Sequence, residues 1–352
     1  MKNITKFLLV VLSSVSLSFA SFAGELTVTG SAKASYSIGG SDDSKDKGIG
    51  ISNELTFGAS GELDNGFTWT YAMELDGNDS GAHDNDDSQL VIGMNELGTI
   101  GFFDSEGGLS QELGYGIGAL GQGSDYAGTM TTQYGLDVSN HPNIQYHAPA
   151  DLLPFGLTAK AGLAPNTADG DNNSYKNTGP INPDTLVGGA LTHYQITAAP
   201  VDGLKVGIDY AEGTDTIAGI KQDPTSGNYF AQYSYANVKV GYNMGYYEPG
   251  LTAKDTAVTK YENTAMGIEV AINDQLSVSY SEEKSEAETS VAIASGAATR
   301  AKTQVESEGQ AIQVAYVVGG ATVGVHVLEV DNADYTAGKD EKVTVVSFAM
   351  EF

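Results

Sequence analysis

The sequence of 352 residues contains no cysteine, one tryptophan and only 9 prolines. The absence of cysteine excludes disulfide-held loops, thiol catalysis and metal sites built on thiolates. Lysine and arginine total 17 against 45 aspartates and glutamates, so a basic patch for nucleic acid is excluded. No stretch after the first residues is apolar for 18 residues, and no transmembrane helix is therefore predicted.

The amino-terminal segment has the features of a secretory signal peptide. Lys2 and Lys6 supply positive charge, an apolar run follows them, and small residues precede a cleavage point after Ala23. The apolar run is too short to span a membrane. We therefore expect residues 1–23 to be removed. The remaining segment, 24–352, has 15 basic and 45 acidic residues, which give a formal net charge of −30.

Apolar and polar residues alternate with period two through most of the mature chain. In the last strand, Phe348, Met350 and Phe352 share one face, while Ser347 and Glu351 lie on the other. No later segment covers this apolar face, whereas lipid would cover it without a second protein layer. We therefore assign the three apolar residues to a carboxy-terminal strand that takes part in membrane assembly.

Turn signals divide the chain into strands joined alternately by short turns and long polar loops. Short turns are expected at 64–66, 96–98, 149–151, 201–203, 236–237, 273–274 and 319–320. Long loops are expected near 76–87, 166–184, 212–226, 248–260, 286–308 and 331–339. This layout is typical of an outer-membrane barrel. The sequence therefore predicts an all-β fold, a transmembrane antiparallel β-barrel of about 16 strands, with both termini on the short-turn side.

The polar faces of the strands indicate which side of the barrel meets water. Residues opposite the apolar face are consistently small or hydrophilic, as with Thr158, Lys160 and Gly162. A soluble barrel would bury its apolar side chains inside, and this polar face would then have to solvate the whole exterior. We therefore predict apolar side chains facing lipid and polar side chains lining a water-filled lumen.

The strand rhythm fails once, between Phe103 and Asn143, in a glycine-rich segment of about forty residues. Loops of this length inside a regular fold are usually functional. We expect residues of about 105–140 to fold back into the barrel and narrow the pore. The candidate constriction carboxylates in this segment are Asp104, Glu106, Glu112 and Asp125.

Through its signal segment, strand rhythm, long third loop and terminal Phe352, the mature chain resembles the general-diffusion porin family of bacterial outer membranes. The resemblance implies a sixteen-stranded barrel, usually a homotrimer in outer-membrane lipid, that passes small hydrophilic solutes and ions by passive diffusion. It implies a constriction at the third loop, with a basic side formed by inward-facing lysines. Carried onto this chain, the constriction comprises Asp104, Glu106, Glu112 and Asp125 opposite Lys33, Lys160 and Lys239. The chain departs from the family's usual basic cluster because its one arginine, Arg300, lies in an expected long loop.

The excess of carboxylates predicts a channel that prefers cations. One expected loop is especially acidic, and its carboxylates are hard oxygen ligands of the kind that bind Ca²⁺. Their spacing lacks the glycine and terminal glutamate of an EF-hand, so a solvated, cation-attracting mouth is the competing interpretation. The candidate calcium ligands are Asp76, Asp79, Asp84, Asp86 and Asp87. No other cofactor is expected.

No catalytic motif occurs with the partners that its chemistry requires, and no enzyme is predicted. The glycine pattern at 116–121 matches a dinucleotide fingerprint but is not followed by a helix, and the histidines lack zinc-ligand spacing. One alternative is a secreted, soluble, β-rich calcium-binding adhesin or surface-layer protein. Another is a substrate-specific channel. A sugar would use Tyr115, Tyr126 and Tyr134, whereas a phosphate would need a basic ladder that is absent from the sequence.

Overall fold

The computed structural model describes residues 26–41, 47–77, 83–112, 116–123, 135–150, 154–167, 189–214, 222–251, 258–291 and 301–352. The expected signal peptide lies outside these ranges, as do Asp79, Asp125 and the three tyrosines considered for a sugar site. No helix within the described ranges is long and apolar enough to cross a membrane.

Sixteen antiparallel strands close into one barrel, and every strand pairs with its neighbours in sequence. The strands are β1 (Thr27–Ser41), β2 (Lys47–Glu62), β3 (Thr68–Gly77), β4 (His83–Gly93), β5 (Thr99–Asp104), β6 (Asn143–His147), β7 (Thr158–Ala164), β8 (Leu191–Val201), β9 (Leu204–Gly213), β10 (Thr225–Tyr235), β11 (Val238–Glu248), β12 (Val258–Ala271), β13 (Leu276–Val291), β14 (Ala301–Val318), β15 (Ala321–Asp331) and β16 (Glu341–Glu351). Strands β1 and β16 close the ring, and the backbones of Gly30 and Phe352 exchange hydrogen bonds of 2.8 and 2.9 Å. The predicted antiparallel barrel is confirmed.

Seven short connections lie on one rim of the barrel, at the seven places that the sequence predicts. The first of them joins β2 to β3, where the Gly66 N–H donates to the Leu63 carbonyl at 2.8 Å. Gly66 has a φ of 79°, a left-handed conformation that glycine adopts without strain. Because β1 begins and β16 ends on this rim, both ends of the sheet lie on the short-turn side, as expected.

Two segments that the sequence assigned to long loops are largely strand. Strand β3 extends to Gly77 and β4 begins at His83. Likewise, strand β13 extends to Val291 and β14 begins at Ala301. The predicted loops at 76–87 and 286–308 are therefore too long. The reason is that a hairpin satisfies its backbone hydrogen bonds whatever its side chains are, and beyond the lipid both of its faces are solvated.

Strand alternation directs apolar side chains outward and polar side chains towards the lumen. On β16, Phe348 and Met350 are 44% and 45% exposed, whereas Ser347, which precedes Phe348 and lies on the other face, is 4% exposed. On β14, Ile312 is 53% exposed and the adjacent Gln313 is buried. In a barrel without a covering layer, this is the arrangement that places apolar side chains against lipid.

Candidate functional site

The described residues of the segment between β5 and β6, at 105–112, 116–123 and 135–142, lie inside the barrel, against its inner wall. The amide of Gln195 on β8 donates to the Leu109 carbonyl at 2.9 Å. The amide of Asn243 on β11 donates to the Gln111 carbonyl at 2.7 Å. Wall side chains therefore satisfy loop carbonyls in the place of water, which fixes the loop to the wall.

The far part of the same loop is attached to strands on another side of the barrel. The Ala119 N–H donates to Ser279 Oγ on β13 at 2.8 Å, and the Leu120 N–H donates to Gln313 Oε1 on β14 at 3.0 Å. The loop thus begins at β5 and reaches β14 within the lumen. The expectation that this segment folds back into the barrel agrees with its position.

The loop is also seated by apolar side chains that fit against glycines of the wall. Ile117 is 1% exposed, and a Cβ added at Gly267 on β12 would lie 2.6 Å from Ile117 Cγ2. Leu109 and Val138 are fully buried, and a Cβ at Gly162 on β7 would lie 3.0 Å from Leu109 Cδ1. Glycine at these wall positions leaves the space that the loop side chains occupy.

A buried ionic cluster lies between the loop and the wall. His193 on β8 is fully buried, with Nδ1 3.5 Å from Asp137 Oδ1 and Nε2 3.4 Å from Asp209 Oδ1. Asp209 Oδ2 also accepts from the Gln111 N–H at 2.6 Å. Burial raises the pKa of Asp137, but the adjacent His193 side chain and the hydrogen bond from the Leu109 N–H outweigh it, and this pKa lies below its ordinary value. The cluster therefore joins both arms of the loop to β8 and β9.

Glu112, expected at the constriction, is largely buried beside this cluster. Its Oε2 has no hydrogen-bond partner among the described residues. Burial raises the pKa of Glu112 to about 8, and the nearby charges of Asp137 and Asp209 act in the same direction. Glu112 is consequently protonated at neutral pH. At this pH Glu112 contributes no negative charge to the lumen.

Three carboxylates from different elements meet at the root of the loop. Glu106 from the loop, Glu74 from β3 and Asp87 from β4 line a small cavity of about 30 Å³, together with Thr56 and Gln89. The Thr56 hydroxyl donates to Glu74 Oε2 at 3.4 Å. Sequence reasoning named Glu106 but not Glu74, although the alternation of β3 placed Glu74 on the polar face.

Asp104 does not share the lumen-facing side of β5. Its cross-strand partner is Ser88, whereas the lumen-facing Phe103 pairs with Gln89. Alternation therefore puts Asp104 on the same side as Phe102, which is 46% exposed. The sequence could not show this, because the exact end of β5 determines the side.

The lysines expected on the basic side lie on two separate parts of the wall. Lys33 is on β1, opposite Ser52 of β2. Lys160 and Lys239 are on β7 and β11, and Lys239 Nζ lies 3.2 Å from Glu269 Oε2. Strands β7 and β11 both belong to the wall that the loop contacts, through Gly162 and Asn243. The expected arrangement, in which these two lysines face the loop from across the pore, is therefore absent from the described part of the chain.

The five candidate calcium ligands do not all belong to one loop. The backbones of Asp76 and Asp84 are paired across β3 and β4, and Asp86 and Asp87 lie within β4. Only Asp87 among the five has a described side chain, and it lines the small cavity at the loop root. Within the described ranges, no group of three or more histidine, aspartate or glutamate side chains is arranged to hold a metal ion.

Solved structures of outer-membrane proteins share this fold. The anion-selective porin from Comamonas acidovorans is 12% identical, with a TM-score of 0.65, covering 94% of this chain and 100% of the porin. OmpF of Salmonella typhi, solved with daunomycin, is 13% identical, with a TM-score of 0.62 and coverage of 94% and 98%. OmpT of Vibrio cholerae in trimer form is 13% identical, with a TM-score of 0.65 and coverage of 94% and 100%.

Sequence comparison identifies a family but no individual relative. No curated protein matches the chain. The family of Gram-negative porins matches residues 8–352, nearly the whole chain. This match, the closed barrel and its outward apolar face do not favour the soluble adhesin or surface-layer alternative. The chain belongs to the Gram-negative porin family, and its barrel forms a channel for passive diffusion in the bacterial outer membrane.

Proposed function

We propose that this channel passes small hydrophilic solutes and ions without catalysis and prefers cations to anions. The observation that carries the preference is the carboxylate group formed by Glu74, Asp87 and Glu106 at the root of the inner loop. Carboxylates that line a narrow aqueous passage raise the local concentration of cations and lower that of anions. The formal net charge of −28 for the whole chain acts in the same direction.

Several other carboxylates near the loop add little to the field in the lumen. Glu112 is neutral at pH 7, because burial raises its pKa to about 8. Asp137 and Asp209 flank His193 at 3.5 and 3.4 Å, so that a protonated imidazole offsets part of their charge. The group at the loop root therefore supplies an important part of the negative charge that a permeating ion meets.

The experiment compares reversal potentials of the wild type and a triple variant, Glu74→Gln, Asp87→Asn and Glu106→Gln, in planar bilayers under a KCl gradient. Three charges, each about 7 Å from an ion in water, together contribute about 1.8 kcal/mol, so we expect the cation-to-anion permeability ratio to fall by about twentyfold. The preference should weaken in about 1 M salt, where the Debye length is about 3 Å.

The matched control is the triple variant Glu262→Gln, Glu286→Gln and Glu306→Gln, because it also removes three carboxylates but from paired positions on the outward faces of β12, β13 and β14. It should leave the permeability ratio unchanged. Anion preference of the wild type at low salt would refute the proposal. An equal loss in the control would assign the preference to overall charge and not to the loop root.

We further infer that the protein assembles as a homotrimer in outer-membrane lipid. The support is the trimer form of Vibrio cholerae OmpT, whose fold this chain shares over 94% of its length. Native mass spectrometry of detergent-extracted protein tests this directly. We expect a species of three times 36.7 kDa, less any removed signal peptide. A monomer at every detergent concentration would contradict it.

A further inference from the structure

Two lysines of the inner wall stand near the short-turn rim without an acidic partner. Lys160 is the third residue of β7, and Lys205 is the second residue of β9. Neither Nζ lies within 4.0 Å of a carboxylate of the described residues, whereas Lys239 pairs with Glu269 at 3.2 Å. In a chain with 45 acidic and 17 basic residues, two such lysines on one wall are unexpected.

Lys160 and Lys205 lie diagonally on either side of the lumen-facing row formed by Thr158, Thr197 and Gly207, each two residues from that row along its own strand. Lys205 Nζ lies 5.6 Å from the ring centroid of Phe230, which is 2% exposed and holds the ammonium over its face. Lys160 is half-buried, directly across the β6–β7 ladder from His147. Packing therefore holds two like charges on one wall, and an anion between them would relieve their repulsion.

Hydroxyl groups lie beside the two lysines. Thr158 precedes Lys160 by two residues, so both side chains share the lumen-facing side of β7. The Thr158 and Thr197 hydroxyls are 2.7 Å apart and hydrogen-bonded to each other. Hydroxyls reorient readily, and either one can donate to an oxyanion that lies next to Lys160.

The inner loop bounds this wall on the side of the long loops. Gln195, the cross-strand partner of Lys160, donates to the Leu109 carbonyl of the loop at 2.9 Å. A Cβ added at Gly207, two residues beyond Lys205, would lie 3.0 Å from Gln111 Oε1 of the loop. The lysines thus lie just beyond the loop, between it and the short-turn rim, which is the periplasmic rim of outer-membrane barrels.

We propose that Lys160 and Lys205 form a binding site for small oxyanions of the phosphate class on the periplasmic side of the inner loop. Lysines bind phosphate as point charges without the planar geometry of arginine, and a dianion matches two ammonium groups. The sequence argued against a phosphate site because no basic ladder is visible in it. The fold removes that objection by bringing together residues from β7 and β9. This inference rests on the proposed function only in requiring an open channel.

The test uses single channels in a planar bilayer, with inorganic phosphate added to one side of a KCl solution. Phosphate bound in the lumen should interrupt the current, and more often when it is added on the periplasmic side. Removing one charge about 5 Å from the ion costs about 0.8 kcal/mol, so Lys160→Gln and Lys205→Gln should each weaken phosphate binding by about fourfold. The double variant should lose the interruptions.

Lys47→Gln is the control, because it removes the same charge from the exposed start of β2 on the opposite rim. It should keep the interruptions at wild-type frequency. The site is refuted if the wild type shows no interruptions at about 50 mM phosphate, roughly fiftyfold above a Kd of about 1 mM. It is equally refuted if the double variant keeps the interruptions, if the single variants bind phosphate as tightly as the wild type, or if the control loses the interruptions.

Conductance in KCl alone distinguishes this failure from failure of the channel function. A protein that conducts normally but ignores phosphate refutes only the anion site. A protein that never conducts refutes the proposed function. If the double variant does not assemble, the two single variants still decide, because each should show its own fourfold loss.

Discussion

At the scale of single residues, the inner loop depends on a histidine that lies between two carboxylates. His193 is fully buried, and it contacts Asp137 of the loop and Asp209 of the wall. Breaking a buried ion pair by removing one partner is strongly destabilising, because the remaining charges stay buried without compensation. The cluster therefore holds the loop mainly because disrupting it would leave charges buried without compensation. The net attraction between its three side chains contributes less.

We predict that His193→Leu destabilises the seated loop by about 3 kcal/mol, since two carboxylates would then be buried without a cation. The expected result is a noisier open channel with a larger and more variable conductance, measured in single-channel recordings. Thr192→Leu is the control, because the neighbouring side chain points away from the lumen. Identical conductance in wild type and His193→Leu would contradict this role.

The second prediction at this scale concerns pH. Burial raises the pKa of Glu112 from an ordinary 4.5 to about 8. At a pH between these two values, Glu112 is ionised when the loop is detached from the wall and protonated when the loop is attached. The attached, or seated, state therefore binds more protons. Its stability therefore falls as pH rises from 4.5 to 8, and the loss is complete above pH 8.

Single-channel noise should accordingly increase between pH 6 and pH 9 in the wild type. Glu112→Gln should show low noise at both pH values, because the amide is always neutral. Asp137 has a lowered pKa and acts in the opposite direction, but only at acidic pH. A pH dependence that survives in Glu112→Gln would assign the effect to another group.

At the scale of elements, the loop and the wall are complementary in shape. Ile117 fills the space above Gly267, where a Cβ would come within 2.6 Å of it. Neither the loop nor strand β12 shows this in its own sequence, because the two segments are far apart along the chain. Glycine in a strand interior weakens the strand, and its presence here fits a close approach by another segment.

We predict that Gly267→Leu displaces the loop, because overpacking a filled site costs about 1–3 kcal/mol. Ile117→Ala should destabilise by about 2–5 kcal/mol through lost burial and a cavity. The double variant should recover part of both losses, since the new leucine enters the space that Ile117 leaves. Thermal unfolding in detergent measures all three proteins. If the loss of stability in the double variant equalled the sum of the two single losses, the two side chains would not occupy a shared space.

At the scale of the whole molecule, the barrel is stabilised by lipid on one face and water on the other. Ile312 projects outward from β14 and is 53% exposed, while the adjacent Gln313 bonds the loop inside. A cationic residue on the lipid face costs about 2–4 kcal/mol at the bilayer midplane and about 0–1 near its edges. The cost of a charge should therefore depend on depth.

We predict that Ile312→Lys and, two residues further from the long-loop rim, Val314→Lys lower the free energy of unfolding in bilayers progressively, towards the midplane cost of about 2–4 kcal/mol. Gln310→Lys, nearer to the long-loop rim on the same outward face, should cost less than either. Equilibrium unfolding in lipid vesicles compares the three. Equal costs would mean that β14 crosses the membrane at a different depth.

The sequence by itself determined the barrel, its seven short turns and the side of each strand that faces lipid. These features follow from local rules, namely the alternation of side chains along a strand and the residues that a tight turn requires. The sequence did not determine where the long loops begin and end, as 76–87 and 286–308 show. Backbone pairing extends through polar residues without regard to their side chains.

Only the tertiary structure decided how the lumen is charged. It buried Glu112 between the loop and the wall, grouped Glu106 with Glu74 and Asp87, and placed Lys160 and Lys205 on the same inner wall, on either side of the row formed by Thr158, Thr197 and Gly207. Each of these results depends on the register and curvature that align distant strands, and on the wall glycines that admit the loop. A charge counts in the pore only where the fold leaves it exposed to water, and no local pattern of residues records that exposure.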